Sequence, residues 1–337
     1  MTLTKGVDIV VVGDVMVDLI ATLRSPLIPD ADNPADFVQT LGGQATNTAA
    51  WLMAAGARAS LVGAIGSDSH GSWVTDRLRD QGIEHSLTVV DAPTGQCIVV
   101  TEPGGARTML PNSGANAKIA SSQTQQHVSA LLDDGAMHLH ISGYVPLHNA
   151  NFARELALNA RERGASSSMD TPAVFPDSLW AGPVEDSHVD PLPPVDILLG
   201  TARELPRWLR PSGANHSASQ AAGQTDGQTD GQTDGQTAPI LAERIVHLPN
   251  RPPTVVIKAG RHGAWLITDR VAKIDPTAGR VVDTTGAGDA FTAGFLAAWT
   301  SGQSPEIAAK RASVLAARAV GQPGGQPLID ERHHGHS

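Results

Sequence analysis

Short runs of β-branched and aliphatic residues alternate with longer stretches of helical periodicity along most of this chain. Residues 8–13, 59–65, 137–141, 166–170, 196–199 and 254–258 read as strands. Residues 45–55, 72–81, 151–163, 240–248, 290–300 and 305–320 read as helices. The alternation predicts an α/β fold, a central, mainly parallel sheet with helices on both faces. Ligands of such sheets bind beyond the carboxyl ends of the strands. Two stretches break the rhythm. Residues 20–41 and 94–111 carry extended, turn-punctuated patterns and predict a small β lid standing off the main sheet. Residues 211–239 contain Gly-Gln-Thr-Asp three times in succession from Gly223, with nothing to bury, and predict a disordered insertion. The rest, 1–330, reads as a single domain with a short tail at 331–337.

Composition narrows the function classes. The 24 basic and 34 acidic residues give a net charge of −10, which argues against bulk binding to nucleic acid or anionic membrane. The single cysteine, Cys97, rules out an internal disulfide, and no Cys/His spacing resembles a zinc site. His333, His334 and His336 read as a solvated terminus. No apolar run is long enough to span a bilayer and no secretory leader is evident, so a cytoplasmic protein is expected.

The most informative stretch is Asp283-Thr284-Thr285-Gly286-Ala287-Gly288-Asp289-Ala290-Phe291, which opens an apolar helix. Glycines at a helix start leave amide groups unblocked, and with the helix dipole they form an anion site. Asp289 stands in the first turn, where a site that only held phosphate would not want a carboxylate. An amide cradle beside a base suits phosphoryl transfer to a hydroxyl. A plain glycine turn with a helix-stabilising Asp is the bland alternative. There is no P-loop motif, and a dinucleotide fingerprint lacks its third small residue.

A second constellation lies near the N-terminus. Gly42-Gly43-Gln44-Ala45-Thr46-Asn47 again places a diglycine before a helix, suited to close backbone approach of a polyhydroxylated ligand. Upstream, Asp14 and Asp18 follow the first strand. Asp18 lies among Val17, Leu19 and Ile20, a costly place for a carboxylate unless it bonds something such as a sugar diol.

With these residues the chain resembles the ribokinase-like (PfkB) carbohydrate kinase family over nearly its whole length. One signature runs from Gly42-Gly43-x-x-x-Asn47 through Gly56-Ala57 to Gly63-x-Ile65-Gly66-x-Asp68-x-x-Gly71; the other is Asp283 to Phe291. The resemblance implies a ribokinase-like sheet of nine or so strands with a lid closing over the substrate. It implies Asp289 as general base, Gly286, Ala287 and Gly288 as the anion hole, and Asp18, Gly42, Gly43 and Asn47 as sugar ligands. It places Lys258, Gly260 and Gly263 beside the nucleotide, Glu204 on magnesium through water, and Asp283 and Thr285, with the 322–325 loop, at a monovalent-cation (potassium) site. Thr201 replaces the Asn of the family's Asn-x-x-Glu motif, and Gln44 stands where ribokinases often carry Lys.

The expected activity is therefore ATP- and magnesium-dependent phosphorylation of a hydroxyl, a primary one, on a small sugar. The alternatives are a nucleoside kinase of the same family and a non-catalytic sugar sensor. Nucleoside kinases stack a base on aromatic rings, and the lid segments offer only Phe37. The resemblance also implies lids that pair across a homodimer, although no clear apolar stripe in the lid segments argues for it independently.

Overall fold

The computed structural model describes residues 6–104, 106–173, 192–209 and 233–328. The tail and residues 211–232 of the expected insertion lie outside the described residues. The first strand, β1 (Ile9–Val12), is buried on both sides: Ile9 and Val11 enter one core, Val10 and Val12 the other. That two-residue period is what a central parallel strand requires. The chain continues through β2 (Met16–Leu23), β3 (Ala35–Gly42), α1 (Gln44–Ala54), β4 (Ala59–Gly66), α2 (Ser69–Asp80) and β5 (Glu84–Val90). Then come β6 (Gly95–Thr101), β7 (Arg107–Asn112), α3 (Ser122–Asp133), β8 (His138–Ile141), α4 (Tyr144–His148), α5 (Ala150–Glu162) and β9 (Ser166–Asp170). The C-terminal half adds β10 (Ile197–Thr201), α6 (Leu205–Trp208), α7 (Thr233–Ile245), β11 (Thr254–Lys258), β12 (Ala264–Ile267), β13 (Val271–Ile274), α8 (Ala287–Thr300) and α9 (Pro305–Val320).

Nine strands form the main sheet in the order β13-β12-β11-β10-β9-β8-β1-β4-β5. Pairing is parallel from β11 to β5, and β12 and β13 add an antiparallel edge. One face packs on α1, α2, α8 and α9, the other on α3, α5 and α7. The expected α/β fold is present with its helices on both faces. The helix expected from residue 240 starts at Thr233, so the end of the repeat-bearing segment is helical rather than disordered. Burial of Ala238, Ala242 and Ile245 gives that helix an apolar face, which a reading of the repeat as uniformly polar overlooked.

The lid is a separate four-stranded sheet, β3-β2-β6-β7. Its register puts Asp18 opposite Thr40 and Cys97, on the same face as Ile20, Val99 and Met109. Phe37 pairs with Ala21, an odd number of residues from Asp18, and therefore lies on the opposite face with Ile98 and Leu110. Phe37 is 75% exposed. The one lid aromatic thus lies away from Asp18, and the apolar stripe not legible in sequence exists as a surface assembled across strands.

The chain is pinned at both points where it passes into the lid. The buried Asn116 accepts the Val15 amide at 3.0 Å and donates to the Val15 carbonyl at 2.9 Å, ahead of β2. Asp68 caps α2 through the Gly71 amide and also accepts the Thr94 amide and hydroxyl, ahead of β6. The Gly66-x-Asp68-x-x-Gly71 signature thus anchors the lid. Asn116→Ala would strand two buried backbone groups and is expected to cost about 2–4 kcal/mol in thermal or urea denaturation, with a raised substrate KM as the lid loosens.

Candidate active site

Strand order reverses at β1, which sits between β8 and β4, and the carboxyl end of β1 is where a crevice forms in such a sheet. Asp14, just past β1, ties the ends of β1 and β8 to the start of α1. Its Oδ1 accepts the Ser142 hydroxyl at 2.5 Å, beyond β8, and its Oδ2 accepts the Gln44 amide at 2.7 Å. Asp14 therefore does for α1 what an N-cap side chain would, since Gly43 has none. Gly43 has φ 97°, and a Cβ there would lie 2.4 Å from the Asp14 carbonyl oxygen, so only glycine fits. The Gln44 side-chain amide is committed to the ends of β8 and β9: its Oε1 accepts the Gly143 amide and lies 2.9 Å from the Ser142 hydroxyl that donates to Asp14, and its Nε2 donates to the Thr171 carbonyl.

Asp18 faces Gly42 so closely that a Cβ at Gly42 would sit 2.2 Å from the carboxylate. It has no hydrogen-bond partner among the described residues. Burial, reinforced by the negative charge of Asp14, pushes its carboxyl up to about 6. An unpartnered acceptor over a bare glycine backbone is a place for ligand hydroxyls. Tyr144 stands nearby, its phenol held above the ordinary range by burial and by Asp14, with smaller effects from Asp289 and Glu204.

The second half of the candidate site is the start of α8. Gly286 is the N-cap in left-handed conformation, φ 70°. The Ala287 amide reaches back to the Thr284 carbonyl at 3.3 Å, whereas the amides of Gly286, Gly288 and Asp289 have no acceptor among the described residues. Of the residues expected to line an anion hole, Gly286 and Gly288 have free amides, as does Asp289, and that of Ala287 is engaged. Asn47 Nδ2 donates to Asp289 Oδ2 at 3.0 Å and its Oδ1 accepts Gln326 Nε2 at 3.2 Å. The two motifs, 242 residues apart in sequence, meet in that one hydrogen bond. Asp289 is pushed up to about 7 by burial first and then by the charges of Asp170 and Asp14, against the Asn47 hydrogen bond and Lys258.

The remaining expected residues have well-defined partners. Lys258, at the end of β11, donates to Asp170 Oδ1, Thr292 Oγ1 and the Gly288 carbonyl. Gly260 and Gly263 shape the turn that follows; a Cβ on Gly263 would strike the Ile274 carbonyl at 2.0 Å. Glu204 Oε2 accepts the Thr171 hydroxyl at 2.6 Å and the Thr201 amide at 2.9 Å, and burial holds its carboxyl above the usual range. Asp283 accepts the amides of Thr285 and Gly324. Its Oδ1 also meets Arg107 of the lid strand β7 at 2.6 Å. Although burial works the other way, these donors hold Asp283 at about 2. Arg107, Asp14, Asp170 and Thr292 were not singled out from sequence as site residues. Asp14 had a visible signal, a second carboxylate after β1, but the others carry none without the register.

A profile of the pfkB family carbohydrate kinases matches residues 7–332. The ATP-dependent ribose-1-phosphate kinase of Halopiger xanaduensis is 26% identical over 309 residues, covering 90% of this chain and 89% of that protein. A nucleoside kinase of Methanothermobacter thermautotrophicus is 26% identical over 328 residues, covering 96% and 93%. Among solved structures, Arabidopsis thaliana ribokinase complexed with ribose and ATP superposes with a TM-score of 0.69 at 22% identity, covering 95% and 94% of the two chains. The two signature motifs, the nine-stranded sheet with its lid and the profile match over nearly the full length agree: this phosphotransferase belongs to the pfkB family of carbohydrate kinases.

Proposed function

We propose that this kinase transfers the γ-phosphoryl group of ATP to a primary hydroxyl of a small carbohydrate, with Asp289 as general base. The observation that carries the reading is the Asn47–Asp289 hydrogen bond, which joins a polar acceptor pocket to an amide-lined helix start. The inner lid face supports a sugar over a nucleoside. It holds Asp18, Ile20, Val99 and Met109, and the lid's one aromatic ring, Phe37, lies on the other face. Acceptor hydroxyls anchor on Asp18 and on the Gly42-Gly43 backbone. Asn47 orients the Asp289 carboxylate, which takes the hydroxyl proton as the oxygen bonds to the γ-phosphorus and the bond to the β-phosphate oxygen breaks. The amides of Gly286, Gly288 and Asp289, with Ala287 in the same turn, hold the phosphoryl oxygens. ATP runs past Gly260 and Gly263 toward that cradle.

Magnesium on the nucleotide would supply charge neutralisation on the phosphates. Glu204 fits a water-mediated role, because Oε2 is committed to Thr171 and Thr201 while Oε1 has no hydrogen-bond partner among the described residues. Among the described residues no cluster of three His, Cys, Asp or Glu forms a metal cage, which suits an ion held mainly by phosphates. A monovalent cation at Asp283 and Thr285 has to share the carboxylate with Arg107. For the homodimer implied by the family, Phe37, Ile98 and Leu110 on the outer lid face offer the pairing surface.

ADP release from magnesium-ATP, measured with a panel of pentoses, hexoses and nucleosides, tests the assignment. Release with a sugar supports it, and release with nucleosides alone overturns the acceptor class. Because the base must be ionised, kcat/KM is expected to climb about tenfold per pH unit below about pH 7 and to level off above it. A profile flat from pH 5 to 8 would remove Asp289 from that role.

A further inference from the structure

Beneath the first turn of α8 lies a closed ring of hydrogen bonds that the transfer chemistry described above does not use. Lys258 Nζ donates to Asp170 Oδ1 at 2.6 Å and to Thr292 Oγ1 at 2.8 Å, and Thr292 Oγ1 donates to Asp170 Oδ2 at 2.6 Å. Asp170 is 1% exposed and the Lys258 side chain 14%. The third ammonium hydrogen reaches the Gly288 carbonyl oxygen at 3.2 Å. In a trans peptide the N–H points opposite to the C=O, so a hand on the Gly288 carbonyl aims the Asp289 amide the other way, into the phosphate cradle. The same peptide carries the Cα from which the Asp289 carboxylate projects.

We propose that Lys258 is a positioning residue for phosphoryl transfer: held by Asp170 and Thr292, its ammonium fixes the Gly288–Asp289 peptide and so aims both a cradle amide and the base. This rests on the phosphoryl-transfer reading of Asp289. All three ammonium hydrogens are spent inside the protein, which leaves none for a nucleotide phosphate.

A buried polar row runs up to the ring. Along β8 and β9, Ser166 Oγ meets His138 Nδ1 at 2.7 Å, His138 Nε2 meets Ser168 Oγ at 2.7 Å, and Ser168 Oγ meets His140 Nδ1 at 2.8 Å. His140 Nε2 then faces Asp170 Oδ2 at 4.0 Å. A hydrogen on that Nε2 is the arrangement favoured opposite a carboxylate. Ser168 then donates to His140 Nδ1 and accepts from His138 Nε2, so the row is polarised throughout toward Asp170. Burial pushes both imidazoles down to about 3, which keeps them neutral. At 4.0 Å that Nε2 is beyond hydrogen-bond distance, so Asp170 is held by Lys258 and Thr292 and bordered by the row.

Steady-state kinetics of Lys258→Met and of the double variant Lys258→Met/Asp170→Asn decide the matter, with melting temperatures alongside. Lys258→Met is expected to lower kcat by about ten- to a hundredfold with the KM for ATP changed less than about threefold. It leaves Asp170 buried and unpaired, so its melting temperature falls; the double variant removes that charge and should recover stability while kcat stays low. A double variant that regains both stability and kcat would show that Lys258 only neutralises Asp170 and would overturn the proposal. So would a tenfold rise in the KM for ATP at unchanged kcat, which means a nucleotide contact. Failure of the base assignment is separate, because it would appear as undiminished turnover in Asp289→Asn.

Discussion

Asp289→Asn is expected to lower kcat by about 10²–10⁴-fold, the span associated with loss of a general base, while ATP binding persists. The amide keeps the shape of the carboxylate, and one end still meets Asn47 Nδ2 if the Asn oxygen is turned toward it. Equilibrium binding of a nucleotide analogue should therefore change little, and single-turnover transfer should collapse. The same change should stabilise the protein above neutral pH. The folded Asp289 carboxyl ionises at about 7, against an ordinary value of 3.8 in the unfolded chain. Between those values folding takes up a proton, so its contribution to stability is fully present in acid and is lost as pH rises through about 7. At pH 8 the native state carries a poorly solvated charge that Asn does not. The variant should melt several degrees above the parent at pH 8, with the gap closing toward pH 5. A lower melting temperature at pH 8 would contradict the electrostatic account of the site.

Gly286→Ala is expected to damage both stability and turnover. Its φ of 70° disfavours any side chain, and an added Cβ would lie 2.2 Å from the Gly325 carbonyl oxygen and 2.7 Å from Gly325 Cα. Those are backbone atoms, so no side-chain rotation relieves the clash. The loop that has to give way accepts the Trp51 indole N–H on Gly325 O, and it donates the Gly324 amide to Asp283. Left-handed strain together with overpacking gives a cost of about 2–4 kcal/mol. A displacement of the helix start by about 1 Å is enough to lower kcat about a hundredfold. Gly288→Ala is the control for stability. Its φ is not positive, and the nearest atom to an added Cβ is Lys258 Nζ at 3.8 Å, so its melting temperature should stay close to the parent's. If Gly286→Ala melts and turns over like the parent, the N-cap geometry assigned to this turn is wrong.

Much of this was legible in the residues. The parallel strands β1, β4, β8, β9, β10 and β11 were read from sequence while the polar-edged β5 (Glu84–Val90) was not, and the lid follows from the two stretches that break the αβ rhythm. The edge strands β12 and β13 were not legible, because Ala264–Ile267 and Val271–Ile274 are each four residues long, the first following a glycine turn and the second the polar Thr268-Asp269-Arg270 turn. Helix α3 was missed because Ser122–Asp133 is rich in Ser, Thr and Gln and buries only Thr124, Val128 and Leu132. At the site, sequence pointed to Asp18, Asp289 and the glycines, whose residue types are costly anywhere else. It could not show that Asn47 bridges Asp289 to Gln326, or that Lys258 turns inward to Asp170. Those are pairings between elements far apart in the chain, and spacing along one segment carries no trace of them. Phe37 shows the same limit in reverse: an aromatic in the lid is visible, but the face it occupies depends on the register of β2 with β3.

The tie between Asn47 and Asp289 also bears on how the molecule acquires its activity. The hydrogen bonds that complete the site close very long stretches of chain, 242 residues for Asn47 to Asp289, 274 for Trp51 to Gly325 and 279 for Asn47 to Gln326. Contacts of such separation form late, since the chain must lose the entropy of the intervening segment before they repay it. A ribosome-bound chain that already has the lid, Asp18 and Asn47 still lacks Asp289 until α8 has emerged and docked on α1. Recovery of turnover during refolding is therefore a readout of the meeting of the two chain ends, later than any recovery of helical signal.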